Sequence, residues 1–293
     1  MYYRRKLLLG LIEAFGGRLK RTDCQKLLFV FSQVTQRNYY DFFPHHYGSY
    51  SIVANYDKEC LRRTGLLSAT DDFQLCTTQS FLAQLNPDDR SVIEFMAHDM
   101  KGIRGKRLVR KMYLEYPQFT RKSQIISDVL KPAEIEQVKL WWNTDLSDCL
   151  LTIGYEGMTI DSFLNVLIAN NVLAVVDVRN NPVSMKYGFS KTTFKRCLEN
   201  ADITYYHLPE LGIPSVYRQG LGTPESYRRL FVKYANDMLP KQKQAIQLIK
   251  DLLARHKRVA LVCFESDPQS CHRHKITEHL RQSPSFTTQV VNL

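Results

Sequence analysis

What this chain of 293 residues lacks narrows its function more than any single motif does. No stretch approaches the roughly 18 consecutive uncharged apolar residues that a membrane-spanning helix requires, so no span is expected. The opening Met1-Tyr-Tyr-Arg-Arg-Lys-Leu-Leu-Leu-Gly-Leu-Ile is basic, but its apolar run stops before Glu13 and no small-residue cleavage site follows, which argues against a secretory leader. The seven cysteines form an odd set with no CxxC pair, so free thiols and the reducing cytoplasm are expected. There is no GxGxxG, which weakens any nucleotide-cofactor reading. No internal repeat or low-complexity segment is visible, and no Ser-His pair has an evident orienting acid. Acidic residues are scarce as well: 29 Asp and Glu face 40 Lys and Arg, and the net charge of +11 favours an anionic partner, of which nucleic acid is the commonest.

The length suits two domains, with a boundary expected near residue 145 (1–145 and 146–293). The first half reads as short helices over 3–15, 24–34 and 52–64, the second of them capped by Thr22 or Asp23. An aromatic connector, Tyr39 to Tyr50, lies between them, and the pattern predicts a mainly helical, winged-helix-like unit. Through Gln25-Lys-Leu-Leu-Phe29 and His46-Tyr-Gly-Ser-Tyr50, residues 1–70 resemble the Panacea antitoxin-associated domain. The densest positive charge follows. Lys101, Arg104, Lys106, Arg107, Arg110, Lys111, Arg121 and Lys122 stand against the single acid Glu115, with Tyr113, Tyr116 and Phe119 between them. Cations neutralise phosphates and rings stack on bases, so a nucleic-acid contact, to DNA above all, is expected here.

The second half alternates apolar strands with helical stretches, which predicts an α/β fold with an open, mostly parallel sheet and flanking helices. Strands are expected over 150–154, 172–178, 203–207 and 259–264, with an edge strand at 287–292. In such a sheet the strand ends share a rim where ligands bind, so their polar tips can meet. The first tip, Gly154-Tyr-Glu-Gly157, offers Glu156 either to a site or as a cap for the next helix. The second, Asp177-Val-Arg179, ends an apolar strand with a carboxylate whose burial needs a partner, and Arg179 points to the same side. It opens the loop 180–190, where Ser184, Phe189 and Ser190 suit ligand contacts. The third tip ends on His207, read as a supporting residue. The fourth carries Cys263, Glu265 and Asp267, then Cys271-His272-Arg273 at a helix start that suits an anion. A zinc site from Cys263, Cys271 and His272 is not expected, because their spacing along the chain matches no familiar ligand pattern.

Five of these segments, Thr152–Gly157, Val176–Pro182, Phe189–Lys191, Tyr206–Gly212 and Cys263–Arg273, occur in an order that resembles the family called domain of unknown function 488, over residues 150–285. The resemblance implies an α/β fold with a polar strand-end pocket and brings no settled activity. The family usually has a second glycine where this chain has Ile213.

Paired carboxylates are the usual apparatus for cleaving a glycosidic bond, and aromatic walls suit a base swung out of a duplex. The leading expectation is a nucleic-acid-processing hydrolase, glycosylase-like, acting on a modified or unusual base without cofactor or metal. Asp177 would be base or transition-state stabiliser, assisted by Glu156 or Glu265. Arg179 and Arg273 would hold phosphate, and Tyr155, Ser184, Phe189, Ser190, His207, Cys271 and His272 would contact substrate, with Tyr205 or Tyr206 adding a ring. A magnesium-dependent nuclease built on Asp177, Glu156 and Glu265 is the first alternative, and a non-enzymatic DNA-binding or nucleotide-sensing protein the second. A targeting half joined to a processing half suits defence against foreign DNA, by analogy.

Overall fold

Short runs of β-branched and aliphatic residues, each closed by a polar tip, set up the sheet of the second half. A computed structural model describes residues 1–293 and divides them into two units, Met1–Trp142 and Asn143–Leu293.

The first unit is helical. It comprises α1 (Tyr3–Ala14), α2 (Arg21–Thr35), α3 (Ile52–Arg63), α4 (Pro87–Asp99), α5 (Lys106–Glu115), α6 (Ile126–Val129) and α7 (Pro132–Lys139). Two antiparallel ribbons accompany them: β1 (Arg18–Leu19) with β4 (Phe73–Gln74), and β2 (Phe43–His45) with β3 (Gly48–Tyr50). Leu7, Leu8, Leu11 and Ile12 of α1 and Leu27, Leu28 and Phe31 of α2 are buried in its core. The two motifs of the N-terminal resemblance meet. Gln25 exchanges hydrogen bonds with the backbone of Ser51, and buried Lys26 donates to the Ser49 carbonyl at 2.7 Å. Neither Thr22 nor Asp23 caps α2. The N-cap is Lys20, and Asp23 instead accepts from the amide of Gly105.

The second unit is a five-stranded, all-parallel sheet flanked by helices. In chain order it holds β5 (Cys149–Gly154), α8 (Ile160–Ala169), β6 (Ala174–Asp177), α9 (Lys191–Glu199), β7 (Thr204–His207), α10 (Pro224–Lys233), α11 (Lys243–His256), β8 (Arg258–Cys263), α12 (Arg273–Arg281) and β9 (Gln289–Asn292). The strand order is β7-β6-β8-β5-β9. The central strands β5, β6 and β8 are buried throughout, as strands covered on both faces must be, whereas β7 and β9 at the edges are part-exposed. On one face Leu150, Val176, Val259 and Leu261 pack with Leu230, Ile249, Leu253 and Ile276. Thr159 caps α8 by accepting from Ser162, and Pro240 lies in a short helical turn that separates α10 from α11. Register aligns Gly154 with Cys263 and Asp177 with both Val262 and His207, so the polar tips of four strands lie along one rim. No helix is long and apolar enough to cross a membrane.

Candidate functional site at the strand-end rim

Buried side chains that end apolar strands must find partners or lose their charge, and at this rim they find them. Asp177 is fully buried. Its Oδ1 accepts from the Arg179 amide at 3.1 Å and from Arg179 Nε at 2.8 Å; its Oδ2 accepts from Arg179 Nη2 at 2.6 Å and Tyr205 Oη at 2.9 Å. The i, i+2 spacing along an extended chain makes this two-pronged pair possible. Arg179 Nη1 also donates to Tyr155 Oη at 2.8 Å and to the Phe189 carbonyl at 2.9 Å. Burial disfavours the guanidinium's charge, but the Asp177 hydrogen bonds outweigh it and raise its pKa. Burial, then the Asp177 charge, raises the Tyr205 phenol's. With both oxygens engaged, the Asp177 carboxylate positions Arg179 and offers no acceptor toward a substrate.

Arg179 and Tyr155 form part of a cleft of about 400 Å³, with Asn180, Ser184, Ile213, Arg218, Cys263, Phe264 and Glu265 among its other walls. A second hollow of about 770 Å³, which includes Glu156, Thr223, Tyr227 and Asp267, shares Phe264 and Glu265 with it. Glu265 therefore stands at the junction. Arg218 Nη1 approaches its Oε1 at 3.9 Å, and the Cys263 thiol donates to its Oε2 at 3.2 Å. Burial pushes the Glu265 pKa up, but its own amide, the thiols of Cys271 and Cys263 and nearby His272 outweigh that and lower it. Half-exposed Phe264 meets Tyr155 edge to face, with centroids 5.3 Å apart.

The loop between β8 and α12 is held from beneath. Arg273 is wholly buried and donates to the carbonyls of Glu265 and Ser266, with a long contact of 3.4 Å to Thr152 Oγ1. It is a loop staple with its donors spent on backbone, not the phosphate holder expected from the sequence. Glu156 does not cap α8 either: its Oε2 accepts from the amide and hydroxyl of Ser266. Gly154 permits the approach of this loop, because a Cβ there would sit 1.7 Å from the Glu265 carbonyl oxygen.

Other expected contacts serve structure. Phe189 is buried, stacked on Tyr155 at 4.1 Å and packed on Phe163 and Phe194. Ser190 closes its loop by donating to the Ser184 carbonyl and accepting from the Ser184 amide. His207 donates to the Arg179 carbonyl, and Tyr206 turns away to His256. Phe264 and Arg218 were not singled out from sequence. A ring beside a strand's last residue and an arginine in a patternless loop carry no signal until the chain folds.

Cys263, Cys271 and His272 are all buried, and their donor atoms lie within 4.8 Å of one another. Spacing along the chain therefore does not decide against a metal at these residues. Cys263 ends β8 and the other two immediately precede α12, so the loop between them folds back and closes a gap that sequence distance overstated. Burial pushes the Cys271 thiol well above its ordinary range, the opposite of what a reactive thiolate requires.

The basic segment of the first unit is more engaged than its composition suggested. Arg110 pairs with Glu134, Lys111 with Glu115, and Arg104 donates to the carbonyls of Met100 and Ile103. Lys101, Lys106 and Arg107 are exposed. The aromatic interleaving is largely taken up in packing: Tyr113 is buried, and the part-buried Tyr116 and Phe119 pack edge to face on Phe29. Helical periodicity turns Tyr113 inward on α5, and the short turn after that helix brings Tyr116 and Phe119 onto Phe29, which the charge count alone could not reveal.

No curated protein and no solved structure matches the chain. Residues 159–280, which include Asp177, Arg179, Cys263, Glu265, Cys271 and His272 but not Tyr155 or Glu156, match the family described as domain of unknown function DUF488.

Proposed function

We propose that the second unit is a hydrolase acting on a nucleic-acid-derived substrate, glycosylase-like in its chemistry, with Glu265 as the reacting carboxylate. One observation carries the reading: Glu265 stands where two hollows meet, with the Arg218 cation 3.9 Å from Oε1 and the half-exposed ring of Phe264 next to it in the chain. A base swung out of its stack finds an aromatic face in Phe264 and apolar cover in the exposed Val183 and Met185 that line the same cleft. Arg218 supplies the charge that holds a phosphate. Glu265 then stabilises positive charge developing at the sugar, or takes the proton of the attacking water. Glu156, tied to Ser266, keeps the loop that presents Glu265 in place, and Asp177 acts through Arg179 and Tyr155. The exposed Lys101, Lys106 and Arg107 are the groups through which the first unit contacts phosphate. Such a pairing of functions suits the processing of foreign DNA.

The magnesium nuclease reading is less favoured, since both oxygens of Asp177 are occupied by Arg179 and Tyr205. The reading is tested by incubating the full chain with oligonucleotides bearing modified bases and separating the products. Release of free base supports it; release of nucleotides or cut strands without free base refutes it.

A further inference from the structure

We propose that Cys263, Cys271 and His272 bind a thiophilic divalent metal ion, zinc in the first instance, as three protein ligands whose fourth position lies beside Glu265. The assignment stands on donor geometry and is independent of the glycosidic reading.

His272 Nε2 lies 3.1 Å from the Val178 carbonyl, which can only accept, so Nε2 carries the ring proton and Nδ1 presents its lone pair. Nδ1 sits 3.8 Å from Cys263 Sγ and 3.9 Å from Cys271 Sγ. Around a tetrahedral zinc, with Zn–S about 2.3 Å and Zn–N about 2.0 Å, sulfur and nitrogen donors lie about 3.5 Å apart, so the two sulfur–nitrogen edges need to contract by only about 0.3–0.4 Å; the two sulfurs lie within 4.8 Å of each other. The backbone carbonyl behind His272 is the outer partner that metal-bound imidazoles usually have, fixing both tautomer and ring orientation.

Charge agrees with geometry. Two thiols lose their protons to solvent as the ion enters, and two thiolates then neutralise a divalent cation, so the ion with its three ligands carries no net charge beside the Glu265 carboxylate. Glu265 Oε2 lies 3.2 Å from Cys263 Sγ, and Cys263 and Glu265 both line the cleft, so the open side of the ion faces the space a substrate would occupy. Two cysteines and a histidine with one open position is a donor set of catalytic zinc sites, whereas structural sites are closed by a fourth protein ligand.

The test is a cobalt(II) titration of the reduced full-length chain, purified without a metal-chelating tag and followed by thiolate-to-metal charge-transfer absorption, with total metal measured by mass spectrometry. One ion per chain with a thiolate band is expected. Cys263→Ser and Cys271→Ser should each lower affinity by more than the roughly 10–100-fold that losing an outer-shell partner costs. Cys197→Ser, which alters a buried thiol on α9, should leave binding unchanged. Because a ligand variant can fail to fold, alkylation of the wild-type chain supplies a second reading: zinc should slow modification of Cys263 and Cys271 and not of Cys76. Absence of stoichiometric uptake, uptake that survives both serine variants, or a Cys263–Cys271 disulfide that persists in the presence of reductant would overturn the assignment.

Discussion

Replacing Asp177 by asparagine separates a positioning role from a chemical one. The side chain is fully buried, and Arg179, whose charge it balances, is 6% exposed. The carboxamide of Asp177→Asn would keep the shape but leave the guanidinium inside the protein without its counter-charge. Breaking one partner of a buried ion pair costs about 3–5 kcal/mol. For a unit of this size each kcal/mol lowers the midpoint by about 2–4 °C, so a fall of roughly 10 °C is expected. Tryptophan fluorescence would miss the event, since both tryptophans, Trp141 and Trp142, lie in the first unit. Calorimetry, with hydrogen exchange at the amides of β6, reports on the right region. Activity per folded molecule should fall modestly, because Arg179 and Tyr155 shift in the cleft wall while Glu265 stays. A variant with unchanged stability and exchange but abolished turnover would refute this reasoning and restore Asp177 as the reacting group.

Further outcomes follow from single contacts. Burial pushes the Lys26 ammonium down to about 7 from its ordinary 10.5. Both folded and unfolded states bind the proton at pH 6, whereas the unfolded chain alone holds it at pH 9. Stability of the first unit should therefore rise between pH 6 and 9 by about 2–3 kcal/mol from this group. Denaturant melts of Lys26→Met should lose that rise and exceed wild type at pH 6; a parallel pH profile in the variant would exclude the mechanism. Gly154→Ala drives a methyl into the Glu265 carbonyl, so it should displace the β8–α12 loop and destabilise by about 1–3 kcal/mol or more. A wild-type melt for that variant would show that the loop yields freely. Tyr205→Phe removes one hydrogen bond to a charged acceptor and should cost about 1.5–3 kcal/mol, read by the same melts.

Much of this architecture was legible in the residues. Uninterrupted apolar runs such as Val259–Cys263 predicted buried parallel strands, and the polar tips predicted a shared rim. The Asp177–Arg179 pairing could be read from i, i+2 geometry. Its meaning could not, because Tyr205 arrives from the neighbouring strand and occupies the remaining lone pair. The sulfur–imidazole cluster was hidden for the same reason: the distance between Cys263 and Cys271 along the chain says nothing of a loop folded back and pinned by Arg273. Charge density misled in the basic segment, where partners such as Glu134 come from another helix. Pairwise patterns within an element are written locally; partners that cross between elements become visible only when the backbone closes.

The central claim is that Glu265 reacts while its neighbours position it, and the direct measurement is free-base release by Glu265→Gln from a modified oligonucleotide that the wild-type chain cleaves. A fall of about 10²–10⁴-fold is expected, typical of removing a general base, with the fold and metal content of wild type retained. Wild-type release rates in that variant would contradict it.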